Sequence, residues 1–166
     1  MTATYEKIAT NTLGSAAATV TFSSISGSYT DLIVVFNGSH STLTNYFLQF
    51  GNGSIDTGSN YSTTVLDGNG SSAASARYSN DTVGIRADYF AAGANNVKQS
   101  IFQIQNYSNS TTYKTTLVRS ALPAEEVVAT VGLWRSTSAI NILRFSNSSG
   151  NFNTGSTFTI YGIKAE

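Results

Sequence analysis

Residues 126–166, EVVATVGLWRSTSAINILRFSNSSGNFNTGSTFTIYGIKAE, hold three runs of β-branched and aromatic residues parted by turn-formers. In 127–134, Val127, Ala129, Val131 and Leu133 share one face, with Val128, Thr130 and Trp134 on the other. Residues 140–145 are rich in Ile, Leu and Phe. In 157–163, Phe158 and Ile160 oppose Thr157, Thr159 and Tyr161. A period of two between turn-rich separators predicts strands. Their succession predicts an antiparallel meander whose last strand closes the sheet.

The same pattern extends toward the N-terminus. Short strands are predicted at 4–9, 18–23, 31–37, 46–50 and 61–66, and Val83, Ile85, Ala87 and Tyr89 alternate with Arg86 and Asp88. The run 32–36 is apolar on both faces, which predicts a central strand covered on both sides. Residues 99–106 and 112–119 flank Tyr107-Ser-Asn-Ser-Thr111 as a β-hairpin, with Phe102 and Ile104 inward and Gln103 and Gln105 outward. Residues 51–60 and 67–82 read as turn-rich. Pro123-Ala-Glu-Glu126 has room for one helical turn. Strands at near-regular spacing without an amphipathic helix predict an all-β chain: a single-domain antiparallel β-sandwich over 1–166, jelly-roll-like.

Nine Lys and Arg balance nine Asp and Glu. Nucleic-acid binding draws on a basic surplus that displaces counterions, and no such surplus exists here. A polybasic membrane anchor is excluded on the same ground. With no cysteine there is neither a disulfide nor a thiolate metal site. The N-terminus lacks the basic start and apolar stretch of a signal peptide, and no run of apolar residues reaches transmembrane length. The expectation is synthesis in a host cytoplasm without export or membrane insertion. A polar surface of Ser, Thr, Asn and Gly repels neighbouring copies only weakly, which suits a crowded assembly.

The phrases TYEKIATNTLGSAAATVTFSSISGSYTDLIVVFN (4–37), IQNYSNSTTYKTTLVRS (104–120), VGLWRSTSAINILRF (131–145) and FNTGSTFTIYGIKA (152–165) resemble small structural proteins of tailed bacteriophages, cyanophages among them. The resemblance covers almost the whole chain and its motifs carry no chemistry. It implies a virion structural protein: a capsid decoration, or cement, protein on the outer head surface. Its partners would be the major capsid protein and two further copies of itself in a homotrimer. The alternative within the resemblance is a tail-fibre or host-recognition module that binds bacterial surface glycans. Against that alternative, no shaft or heptad segment precedes the sandwich.

Candidate chemistry is sparse. His40, the one histidine, lies in Gly38-Ser-His-Ser-Thr42 without a G-x-S-x-G elbow, and is expected to be a solvated loop side chain. Asp67-Gly-Asn69-Gly-Ser71 imitates the start of a calcium loop, but Tyr78 stands where the bidentate acid belongs, so a turn is expected. Asp31, Asp56, Asp81, Asp88, Glu125 and Glu126 are scattered, only the last two adjoining, and nothing in their placing points to paired-carboxylate glycosidic chemistry. Tyr61, Tyr78, Tyr107 and Tyr113, in or beside loops, could stack on sugars but suit rim packing better. Asn-x-Ser/Thr sequons at Asn37, Asn52, Asn60, Asn106 and Asn147 follow from composition. The expectation is therefore a non-enzyme with no catalytic, metal or cofactor residues.

Overall fold

The computed structural model describes residues 4–88, 95–123 and 125–164. Within them thirteen strands, numbered in chain order, form two antiparallel sheets and no helix. The large sheet runs β1 (Tyr5–Thr12), β13 (Thr157–Ile163), β3 (Asp31–Gly38), β9 (Lys98–Gln105), β10 (Lys114–Leu122), β11 (Glu126–Trp134), β6 (Tyr61–Gly68), β7 (Ala73–Asp81). The small sheet runs β2 (Thr19–Phe22), β12 (Ile142–Asn147), β4 (Tyr46–Asn52), β5 (Ser54–Ile55), with β8 (Ile85–Arg86) also paired to β4. The molecule is an antiparallel β-sandwich.

Alternation sets the core. Leu32, Val34 and Phe36 on β3, Phe102 and Ile104 on β9, and Phe158 and Ile160 on β13 face Val20, Leu48, Phe50, Leu143 and Phe145 of the small sheet, and all are buried. Aromatic rings bridge the layers, with centroids 5.2 Å apart for Phe102–Phe145 and 5.0 Å for Phe145–Phe158. Tilted and edge-on pairs at such spacing contribute beyond their buried area. Ile85 is seated against Gly132, where a Cβ would lie 2.5 Å from its Cγ2; the missing side chain lets β8 reach the large sheet. On β3 the inner face is sealed, while on the outer face Ile33 is buried and Val35 is exposed, so the expected double cover is half complete.

The meander expected for the last three strands is not formed. β11 lies between β10 and β6, β12 crosses to the small sheet between β2 and β4, and β13 returns between β1 and β3. The connections 135–141 and 148–156 exceed the two to five residues, roughly, of a hairpin loop. They are also fastened elsewhere: Ile140 N donates to Tyr107 O at 2.8 Å, and Phe152 bridges to Ala17 and His40. Nor does β13 close its sheet, because β1 pairs along its other side through a register shift between Lys7 and Ala9. The true meander is β9–β10–β11, whose first hairpin is the one expected around residues 107–111.

Three further expectations are corrected. β7 forms within the turn-rich stretch, as an edge strand of small and polar residues that shows no apolar alternation. The alternating run from Val83 shrinks to Ile85–Arg86, because Gly84 takes φ +114° and breaks it; Tyr89 lies outside the described residues. Glu126, in the segment with room for a helical turn, already belongs to β11, and Glu125 N donates to Leu122 O at 3.0 Å in the tight β10–β11 connection; Ala124 is likewise outside the described residues.

Candidate interaction face

β11 carries two unlike faces, and the more apolar one points to solvent. Glu126, Val128, Thr130 and Trp134 are buried, whereas Val127 is 63% and Val131 53% exposed. Register extends this face across the sheet. One row reads Val35, Ile101, Arg119, Ala129, Leu66, and the next Ile33, Gln103, Leu117, Val131, Thr64. Leu66 is 58% exposed, and Ile101 and Leu117 are also exposed. An open groove of about 810 Å³ lies over the first row, floored by Val35, Leu66, Ile101, Val127 and Ala129. Single exposed apolar residues are ordinary, but here several lie close together over five strands, interrupted by Arg119, Gln103 and Thr64, which makes this face the candidate interaction surface.

The charge at its centre is cationic. Arg119 sits in the middle of the apolar field, while Lys7 on β1 and Arg77 on β7 stand at its two margins. None of the three has an ion-pair partner among the described residues. The acids are engaged elsewhere: Glu6 with Lys164 at 2.6 Å, Asp81 with Arg86 at 3.6 Å, and Asp56 accepting from Trp134 Nε1 and Asn60 Nδ2. The middle of the outer face is thus apolar and cationic although the whole chain is neutral, and Asp31, at the start of β3 on the same face, accepts from Asn106 N at 2.6 Å.

A second polar assembly lies inside. Lys98 Nζ is 2.7 Å from Asp88 Oδ2 and 3.5 Å from Glu126 Oε1, with all three side chains buried. Asn45 Nδ2 donates to Asp88 Oδ1 at 3.1 Å. Burial pushes the Asp88 carboxyl above its ordinary value, against the pull of Lys98 and Asn45. Beside it, Tyr46 and Ser100 share a hydroxyl hydrogen bond, Ser100 meets Ser120 at 2.7 Å, and Ser120 donates to Ala87 O. Sequence reasoning treated Asp88 and Glu126 as scattered acids and passed over Lys98. The available signal was phase: Lys98 falls in step with Ser100, Phe102 and Ile104, and Glu126 with Val128 and Trp134, so both point inward.

His40 is not solvated; the structure buries it completely. Phe152 bridges to its backbone and packs at 5.1 Å, with Tyr46 at 5.3 Å and Phe36 at 6.0 Å. Neither ring nitrogen makes a hydrogen bond of normal geometry, nor do the amide atoms of the neighbouring Asn147. Burial, helped by the charge of Lys98, lowers its pKa from 6.5 to about 4.

The remaining candidates separate cleanly. Tyr61 and Tyr107 are core residues, Tyr61 OH accepting from Phe50 N at 3.0 Å. Tyr78 lies under Arg86, whose guanidinium is 3.9 Å from the ring centroid. Tyr113 alone of the four is exposed. The 67–71 segment is the β6–β7 turn, with Asn69 Oδ1 accepting from Ser71 N and Ser72 N. Asp67 is buried on the inner face, so it does not join a calcium site with Asn69. Among the described residues no helix is long and apolar enough to cross a membrane, and no group of three His, Cys, Asp or Glu could hold a metal.

No family model and no curated relative matches the chain. Solved structures that align with it include CG-16, a homodimeric agglutinin from chicken liver, at 11% identity and TM-score 0.37, over 84% of this chain and 98% of that one. The alginate lyase Aly36B in complex with an alginate tetrasaccharide aligns at 10% and 0.34, over 95% and 80%. A Shewanella oneidensis protein of unknown function aligns at 7% and 0.24, over 86% and 62%. Likenesses at these scores carry no argument about function.

Proposed function

We propose that this chain is a non-enzymatic virion structural protein of a tailed bacteriophage. In this reading it decorates the outside of an assembled head, acts as a trimer, and binds the major capsid protein through the outer face of the large sheet. The observation that carries the reading is the orientation of β11, which spends Thr130 and Glu126 on the core and presents Val127 and Val131 to solvent. An apolar field around Arg119 suits a partner with apolar side chains and a carboxylate. Repetition over a symmetric shell turns modest sites into high avidity. The glycan-binding alternative draws less support, since of four candidate stacking tyrosines two are buried and one is covered by Arg86.

The test pairs Leu117→Ser with Val131→Ser. Both side chains point outward, so the double variant keeps its fold and melting temperature while co-sedimentation with heads that lack the protein falls at least tenfold. Undiminished co-sedimentation removes this face from the function. Labelling of the protein on tail tips rather than on the head lattice, seen by electron microscopy, replaces decoration with host recognition.

A further inference from the structure

We propose that Lys98 and Asp88 join in an intramolecular isopeptide bond that the folded chain makes for itself, with Glu126 as the proton carrier. The inference rests on the buried cluster alone and not on the decoration reading. Lys98 Nζ stands 2.7 Å from Asp88 Oδ2, so the carboxyl carbon beyond it lies at roughly the 3–3.5 Å of a near-attack arrangement. Glu126 Oε1 is 3.5 Å from the same nitrogen. The side chains of Lys98 and Asp88 are wholly buried and that of Glu126 is 4% exposed. The Tyr46 ring covers the amine, its centroid 5.6 Å from Nζ.

A dry interior disfavours two separated charges, so the proton passes from ammonium to carboxylate, leaving an amine beside a carboxylic acid. The lone pair of Nζ then attacks Cγ and forms the N–C bond. The carbonyl electrons move onto Oδ1, where Asn45 Nδ2, 3.1 Å away, stabilises the developing charge. The Glu126 carboxylate takes a proton from Nζ and gives one to Oδ2. The Cγ–Oδ2 bond breaks with its electron pair and water leaves. Nothing is oxidised or reduced, and Glu126 ends as it began. The product is a neutral amide where two buried charges stood. It ties Asp88, the second residue after the small-sheet strand β8, to the first residue of β9 in the large sheet.

Trypsin decides the matter. It cuts after Arg86, Lys98 and Lys114, with no other Lys or Arg between Arg86 and Lys114. In the unfolded wild-type chain the bond blocks cutting at Lys98 and yields one 87–114 fragment lighter by one water. Asp88→Ala restores cutting at Lys98. Glu126→Gln, shown to be folded by its circular dichroism, also restores it, whereas Asp88→Asn yields the uncut fragment lighter by one ammonia. Wild-type protein that is cut at Lys98 overturns the proposal, even if a water is lost elsewhere, as from a succinimide at Asp67-Gly68. A folded Glu126→Gln chain that remains uncut and one water lighter overturns the role of Glu126.

Discussion

Acidification alone should weaken this fold through His40. The unfolded chain binds the imidazole proton near 6.5, whereas the folded chain binds it only near 4, chiefly because the ring is buried among Phe36, Tyr46 and Phe152. Between those values the unfolded state holds more protons, so stability falls as pH falls. One pKa unit corresponds to about 1.4 kcal/mol, and the full separation to about 3 kcal/mol. From pH 7 to pH 4.5 the loss from this one group is about 2 kcal/mol, with little lost above pH 6.5. Urea unfolding at both pH values measures it. His40→Phe removes the titration but keeps an aromatic ring in the site. Overpacking costs that variant roughly 1–3 kcal/mol at both pH values, which cancels in the comparison. Equal acid losses in wild type and His40→Phe would refute the assignment.

Other outcomes follow from single contacts. Val34→Asp places a carboxylate on the sealed inner face of β3 and should leave no soluble folded protein; a dispersed NMR spectrum from that variant would sink the central-strand packing. Trp134→Phe removes the 2.7 Å indole bond to Asp56, which keeps Asn60 and Gly58 as donors, and should cost about 1.5–3 kcal/mol by urea titration. Sedimentation of the isolated chain should give a trimer, and a monomer at every concentration counts against self-association. Virions without the protein should adsorb normally but lose infectivity sooner on heating, since a ligand of assembled heads stabilises them by mass action; lost adsorption with unchanged heat survival would move the function to the tail.

What the sequence reveals is local. The span of β13 matches the residues read as a strand, and the Phe102 and Ile104 side of β9 points inward as alternation requires. Period two assigns a residue to a face, but it does not say which strand lies alongside. The partners of β11, β12 and β13 depend on where residues 135–141 and 148–156 are tied, and those ties reach Tyr107, Ala17 and His40, far away in the chain. His40 was illegible in part for the same reason: Ser and Gly neighbours suggest solvent, while Phe152, more than a hundred residues later, joins Phe36 and Tyr46 in burying it. β7 escaped because an edge strand of Ala and Ser buries little and so has no need of alternation.

The sequence separates the two faces of β11 without saying which is the core face, and the usual assumption, that the more apolar face of a strand is its core face, would choose wrongly. On β11 the assumption inverts, and its neighbours share the cost. Glu126 turns inward and meets Lys98, which opens β9, while Lys114, at the start of β10, is buried with its ammonium on the carbonyls of Thr112 and Thr137. Folding alone offers no return for exposing Val127, Val131 and Leu66 while enclosing Lys98, Asp88 and Glu126. The two halves of the inversion have separate accounts. Outside, the apolar field is stabilising once a partner covers it. Inside, conversion of Lys98 and Asp88 to an amide removes the two charges that burial penalises most.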